Sequence, residues 1–299
     1  MYQFLQALGE HPFLQYALAA GLLSSIACGV VGSYVAARRI TYMAGGIAHC
    51  VLGGLGVARY CQVVLGWQWL TPVIGAAAAS LLAAVIIGLV TLRWREREDT
   101  VISALWAVGM ATGVLFIWHT PGYNENLMSY LFGNILMVGG RDLWLLAALD
   151  VVVVFIGLAF YNQFLAICLD EEFARLRGIN VEVFYLLLLC LTALTVVLLT
   201  MVVGLVMVIA LLSLPVAIGA RFCRSLGQVM LVAVLSTMAL TCLGLVIGYT
   251  ADLPMGATTI MLAGAAYLLA HGLAAGLTAL RRRSDVAASP PPDIPQHPS

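Results

Sequence analysis

Between Val181 and Ala220 the chain runs through 40 residues with a single charged side chain, Glu182. As one helix at 1.5 Å per residue this stretch would measure about 60 Å, twice the ~30 Å hydrocarbon core of a bilayer. It is therefore read as folding back, with the turn expected at Thr200 to Gly204. Composition extends the point to the whole chain. Of 299 residues, 63% are hydrophobic and 9% charged, and the mean hydropathy is +1.03. A soluble domain carries about 25% charged residues, so this chain cannot coat itself with a water-facing surface and must lie in a lipid bilayer.

Windows of about 19 residues place further apolar spans at Phe13 to Ala37, Tyr42 to Leu65, Leu70 to Leu92, Thr100 to Trp118, Leu143 to Leu165, Val229 to Tyr249 and Ala257 to Leu280. With the split pair Val181 to Leu199 and Val202 to Ala220, the expected fold is all-α and polytopic, with nine transmembrane helices, or eight if the long run is not split. Short cytoplasmic loops are enriched in Lys and Arg, and here 12 of 14 arginines fall in alternate connections, leaving only Arg59 and Arg141 elsewhere. This puts the amino terminus outside and the carboxyl terminus in the cytoplasm. Residues 1–283 form one integral membrane domain, and the proline-rich tail 284–299 is expected to be disordered. Seven cysteines without a C-x-x-C pair read as buried thiols.

The chain contains no lysine, which excludes a Walker A phosphate loop and a Schiff-base lysine. No G-x-S-x-G elbow is present. It is therefore not expected to be an enzyme, and zero net charge argues against nucleic acid as a partner. Ionisable side chains inside hydrocarbon are costly and read first as functional; His49, Arg59 and Asp150 qualify. Gly45, His49 and Gly53 lie four apart on one helix face, so His49 is either a ligand in a central pathway or the donor of an interhelical hydrogen bond. Asp150 falls among Leu, Ala and Val, with Arg59 as a conceivable partner. His119, Glu125 and Asp252 on outer loops either meet a cationic substrate or are simply solvated. Leu127 to Val138 is too short to span and reads as interfacial or re-entrant. Asp170 to Gly178 (DEEFARLRG) is charged, yet Phe173 and Leu176 share one face. It is either a short helix docking onto another protein or a solvated loop.

In order along the chain, several motifs resemble the zinc, manganese and iron permease family of ATP-binding-cassette importers. They are Gly32-Ser33-Tyr34-Val35 with Arg38-Arg39-Ile40-Thr41-Tyr42; Ala48-His49; Glu98-Asp99-Thr100; Leu131-Phe132-Gly133-Asn134-Ile135-Leu136; Asp170-Glu171-Glu172-Phe173-Ala174 leading to Gly178; Leu214-Pro215-Val216-Ala217 before Ala220-Arg221; and Leu253-Pro254-Met255-Gly256-Ala257-Thr258. The resemblance covers about Ala19 to Leu280. It implies a type II importer-like permease in the bacterial inner membrane. Such a permease forms a homodimer, binds a dimer of cytoplasmic ATPase subunits and takes its ion from an extracytoplasmic solute-binding protein. It holds no permanent cofactor; a divalent metal ion, zinc, manganese or iron, is cargo, with zinc or manganese preferred.

On the same resemblance Asp170, Glu171, Glu172, Phe173, Ala174, Arg175, Leu176, Arg177 and Gly178 form the coupling helix, and His49 touches the metal in transit. Members of the family commonly carry an aspartate four residues before that histidine. Here the position is Gly45, so Asp150 or Asp252 takes the acid's place, or the ion is handled more loosely, or the cargo is a chelate or small organic cofactor. A self-contained ion-coupled carrier using Asp150 and Arg59 is the rival from another class.

Overall fold

A computed structural model describes residues 2–94, 98–121 and 138–288. The regular structure among the described residues is all helical: α1 Tyr2–Glu10, α2 Pro12–Ala37, α3 Thr41–Val64, α4 Pro72–Leu89, α5 Glu98–His119, α6 Gly140–Ala159, α7 Tyr161–Leu169, α8 Glu171–Leu176, α9 Val181–Val203, α10 Leu205–Phe222, α11 Leu226–Ala251 and α12 Met255–Ala288. Nine of these are long and apolar enough to cross a membrane. The segment Leu127 to Val138, apart from Val138 itself, with Glu125 before it, and residues 289–299 of the tail lie outside the described residues.

The long apolar run breaks where expected. Gly204 separates α9 from α10 with φ +83°, a backbone conformation open to glycine and strained for other residues. Three boundaries differ from expectation. The last helix, expected at Ala257 to Leu280, runs on to Ala288 and takes in the first five residues of the tail expected to be disordered. The fifth span stops at Ala159, and Tyr161–Leu169 is a separate helix whose Phe164, fully buried, packs edge-on against Phe160 and Phe184. That aromatic cluster turns the chain before it reaches α8. Residues before the first span also form a helix, α1, with Gln15 donating from its side chain to the Leu8 carbonyl at 2.9 Å.

In hydrocarbon, polar groups need partners within the protein. Buried Thr192, Thr195 and Thr200 on α9 each donate to the carbonyl four residues back, at 2.7–2.8 Å. Tyr34 of α2, fully buried, donates its hydroxyl to the Gly157 carbonyl of α6 at 2.8 Å. Gly32 lets α10 approach so closely that a Cβ there would lie 2.6 Å from the Leu212 carbonyl oxygen. The Gly32-Ser33-Tyr34-Val35 motif is thus a packing element that joins α2 to α6 and α10.

The α2–α3 corner is a Schellman motif: Ile40 N–H donates to the Val35 carbonyl at 2.9 Å and Arg39 N–H to Ala36 at 3.1 Å. Arg39 sits there at φ +63°, where a Cβ costs about 1–2 kcal/mol. Arg39→Gly removes that strain at an exposed position. After allowing for glycine's extra unfolded-state entropy, the variant is expected to gain about 0.5 kcal/mol, seen as a raised thermal unfolding midpoint in detergent.

Candidate functional site

Helix α3 is built around glycines. A Cβ at Gly46 would lie 2.8 Å from Ile102, at Gly53 2.7 Å from the Gly109 carbonyl oxygen, and at Gly56 2.6 Å from that of Gly113. These positions, spaced seven and three apart, bring the backbones of α3 and α5 into direct contact. Gly54 makes the same approach to Gly75 of α4. His49 completes the α5-facing stripe, three residues after Gly46 and four before Gly53.

Its ring stacks on Trp106 of α5, centroids 4.1 Å apart at 25°. Trp106 lies 6.1 Å from Tyr42, whose hydroxyl pairs with Ser103 at 2.7 Å. The histidine's hydrogen bond is intrahelical: Nδ1 is 2.8 Å from the Gly45 carbonyl oxygen. A carbonyl only accepts, so the proton is on Nδ1 and the Nε2 lone pair is left available, the arrangement that orients metal-ligating histidines. The interhelical hydrogen bond considered from the sequence is replaced by an aromatic stack. Below the ring, a Cβ at Gly45 would meet only Trp106 at 3.6 Å and Ile209 at 3.9 Å, ordinary contacts. The sequence names Tyr42 only within a motif and does not single out Trp106. The signal was there: Tyr42, Gly45 and His49 share one face, and the indole of α5 is the large ring opposite it.

The other candidates lie elsewhere. Asp150, 5% exposed, belongs to α6, which packs on α2; the Ala27 backbone approaches its carboxyl, and Oδ1 has no hydrogen-bond partner. Arg59 donates to Gln62 on its own helix at 3.0 Å, so the conceived Arg59–Asp150 pair does not form. Asp252 is exposed, in the left-handed conformation that ends α11. His119 is exposed at the end of α5 and bonds the Leu115 carbonyl. No cluster of three or more His, Cys, Asp or Glu is present among the described residues. All seven cysteines are free, three buried and four half-buried.

The segment Asp170 to Gly178 is a capped helical turn and not a loose loop. Asp170 Oδ1 accepts from Glu172 N–H at 2.9 Å and Phe173 N–H at 3.1 Å. At the other end Ile179 N–H donates to Ala174 and Gly178 N–H to Arg175, with Gly178 at φ +77°. Ala174 is fully buried, while Phe173 is 48% and Leu176 87% exposed. The Arg177 guanidinium lies 4.7 Å over the Phe173 ring. The shared face read from the three-residue spacing therefore exists and points away from the protein. The profile of the ABC 3 transport family matches residues 10–274.

The chain belongs to the ABC-3 transport family. Among its relatives in the family, a probable metal transport system membrane protein of Chlamydia trachomatis is 38% identical, covering 95% of this chain and 94% of the relative. The manganese transport system membrane protein MntC of Halalkalibacterium halodurans is 30% identical, covering 89% of each. Among solved structures, PsaBC from Streptococcus pneumoniae in complex with Fab superimposes with a TM-score of 0.80 at 28% identity, over 90% of this ABC-3 chain and 94% of that one.

Proposed function

We propose that this ABC-3 chain is the permease subunit of an importer that carries a divalent metal ion, manganese or zinc, into the cytoplasm. The observation that carries the reading is His49, held by its Nδ1 on a glycine-lined helix with Nε2 available to a passing cation. Relatives across the family are named for metal and manganese transport. Two copies of the chain enclose the path, a binding protein delivers the ion outside, and separate ATPase subunits dock on Phe173 and Leu176. The amino terminus is outside and the carboxyl terminus inside, with Arg38 and Arg39, Arg175 and Arg177, and Arg221 and Arg224 all on the ATPase side.

The test is ATP-dependent uptake of manganese and zinc by proteoliposomes containing the chain, its ATPase and its binding protein. Uptake of either supports the reading; uptake of neither overturns it. Asp150→Asn separates the importer from the ion-coupled carrier. Asp150 is seated on the α2 side of the bundle and not beside His49, so the importer keeps its uptake within about twofold, whereas a carrier working through that carboxyl loses it.

Gly45 defines the second side of the site. Because a Cβ there makes only ordinary contacts, Gly45→Asp is expected to fold. It sets a carboxylate one turn from the imidazole, and stronger inhibition of uptake by competing zinc, by about tenfold, is the expected result. An unchanged competition profile would show that the Gly45 notch does not face the ion.

A further inference from the structure

Arg38 holds more partners than any turn requires. It caps the carboxyl end of α2 at the α2–α3 corner, and its side chain is 23% exposed. Nη1 donates to the Ile167 carbonyl near the end of α7 at 3.2 Å, and Nη2 pairs with the Glu171 carboxylate in the first turn of α8. Its Cζ lies 5.4 Å over the ring of Tyr185 on α9. Tyr185, 2% exposed, donates its hydroxyl to Met43 Sδ on α3 at 3.3 Å. One side chain thus touches α7, α8 and α9 at once, and through Tyr185 reaches a residue two positions before Gly45 and six before His49.

We propose that Arg38 is the positioning residue that passes movement of the coupling helix to the histidine-bearing helix α3. The inference rests on the reading of Asp170 to Gly178 as the ATPase dock. The physical case has three parts. The capped α8 moves as a unit, because its terminal N–H and C=O groups are bonded at both ends. The guanidinium is planar and engages a carboxylate, a carbonyl and an aromatic face together, which fixes direction as well as distance. Helix α3 has no slack against α4 and α5, because glycines put the backbones in contact, and close-packed elements shift between discrete arrangements instead of deforming. Pulling Glu171 therefore moves the α2–α3 corner, and the corner carries α3 with it.

The experiment uses the assembled transporter in proteoliposomes and reads two quantities from the same preparation: ATP hydrolysed and manganese imported. Arg38→Gln is expected to retain the ATPase through purification and to hydrolyse ATP, but to import about tenfold less manganese per ATP, within the usual range of coupling between sites. Arg38→Lys restores the charge without the planar contacts, and its ratio is expected to fall between the two. Glu171→Gln, on the exposed side of the pair, lowers the same ratio and decides the matter if Arg38→Gln does not fold. A wild-type ratio in Arg38→Gln, or in Glu171→Gln where that variant stands alone, overturns the proposal. The docking reading is judged separately: a Phe173→Ala, Leu176→Ala double variant that still co-purifies with the ATPase overturns it, whatever the ratio does.

Discussion

His49→Ala in the assembled transporter lowers ATP-dependent metal uptake by at least about 10- to 100-fold, the loss found when even an indirect supporter of a metal ligand is removed. The protein itself is expected to fold. His49 donates only within its own helix and stacks on one indole, a contact worth about 0.5–1.5 kcal/mol. Alanine is also a better helix former. The loss should appear in transport and not in yield, and His49→Gln should recover little, because an amide is a poor ligand for a transition metal. Uptake in His49→Ala within twofold of the parent would reduce the histidine to a packing residue.

The second large effect concerns stability. Gly56→Leu places a side chain where even a Cβ would lie 2.6 Å from the Gly113 carbonyl oxygen. The obstacle is backbone, so no rotamer relieves it; α3 and α5 must separate and the Gly46 and Gly53 contacts go with them. A cost of about 3 kcal/mol or more is expected, visible as loss of monodisperse protein in detergent. Gly272→Ala on α12, with nothing within 4 Å of its Cβ, is the matched control and should be silent. Equal behaviour of the two variants would contradict backbone contact between α3 and α5.

The contrast between these positions explains what the sequence could tell and what it could not. Span lengths are set by the membrane's thickness and by hydropathy, so α2 to α5 and α9 to α11 were legible to within a few residues. The break at Gly204 followed from length alone. The end of α6 was not legible, because Phe160 and Phe164 read as apolar span until the position of Phe184 shows that they form a cluster around a turn. For the site, the face shared by Gly45, His49 and Gly53 was correct, since helical periodicity is local. Trp106 comes from another helix, and no single-sequence pattern says which helix lies opposite. Asp150 had the same burial signal as His49 but packs on α2, a distinction made only by tertiary structure. The Phe173 and Leu176 face was visible in the three-residue spacing; Arg38, whose partners are 129 and 133 residues ahead, was legible only as an orientation marker and part of a family motif.

The central claim is that this ABC-3 chain is a conduit whose driving force comes from separate ATPase subunits. The direct measurement is manganese accumulation by vesicles holding the chain alone or with those subunits, with ATP at the ATPase face and an ion gradient imposed in both. The account predicts accumulation against a manganese gradient only when the ATPase and ATP are both present. Uphill accumulation by the chain alone, driven by the ion gradient, would contradict it.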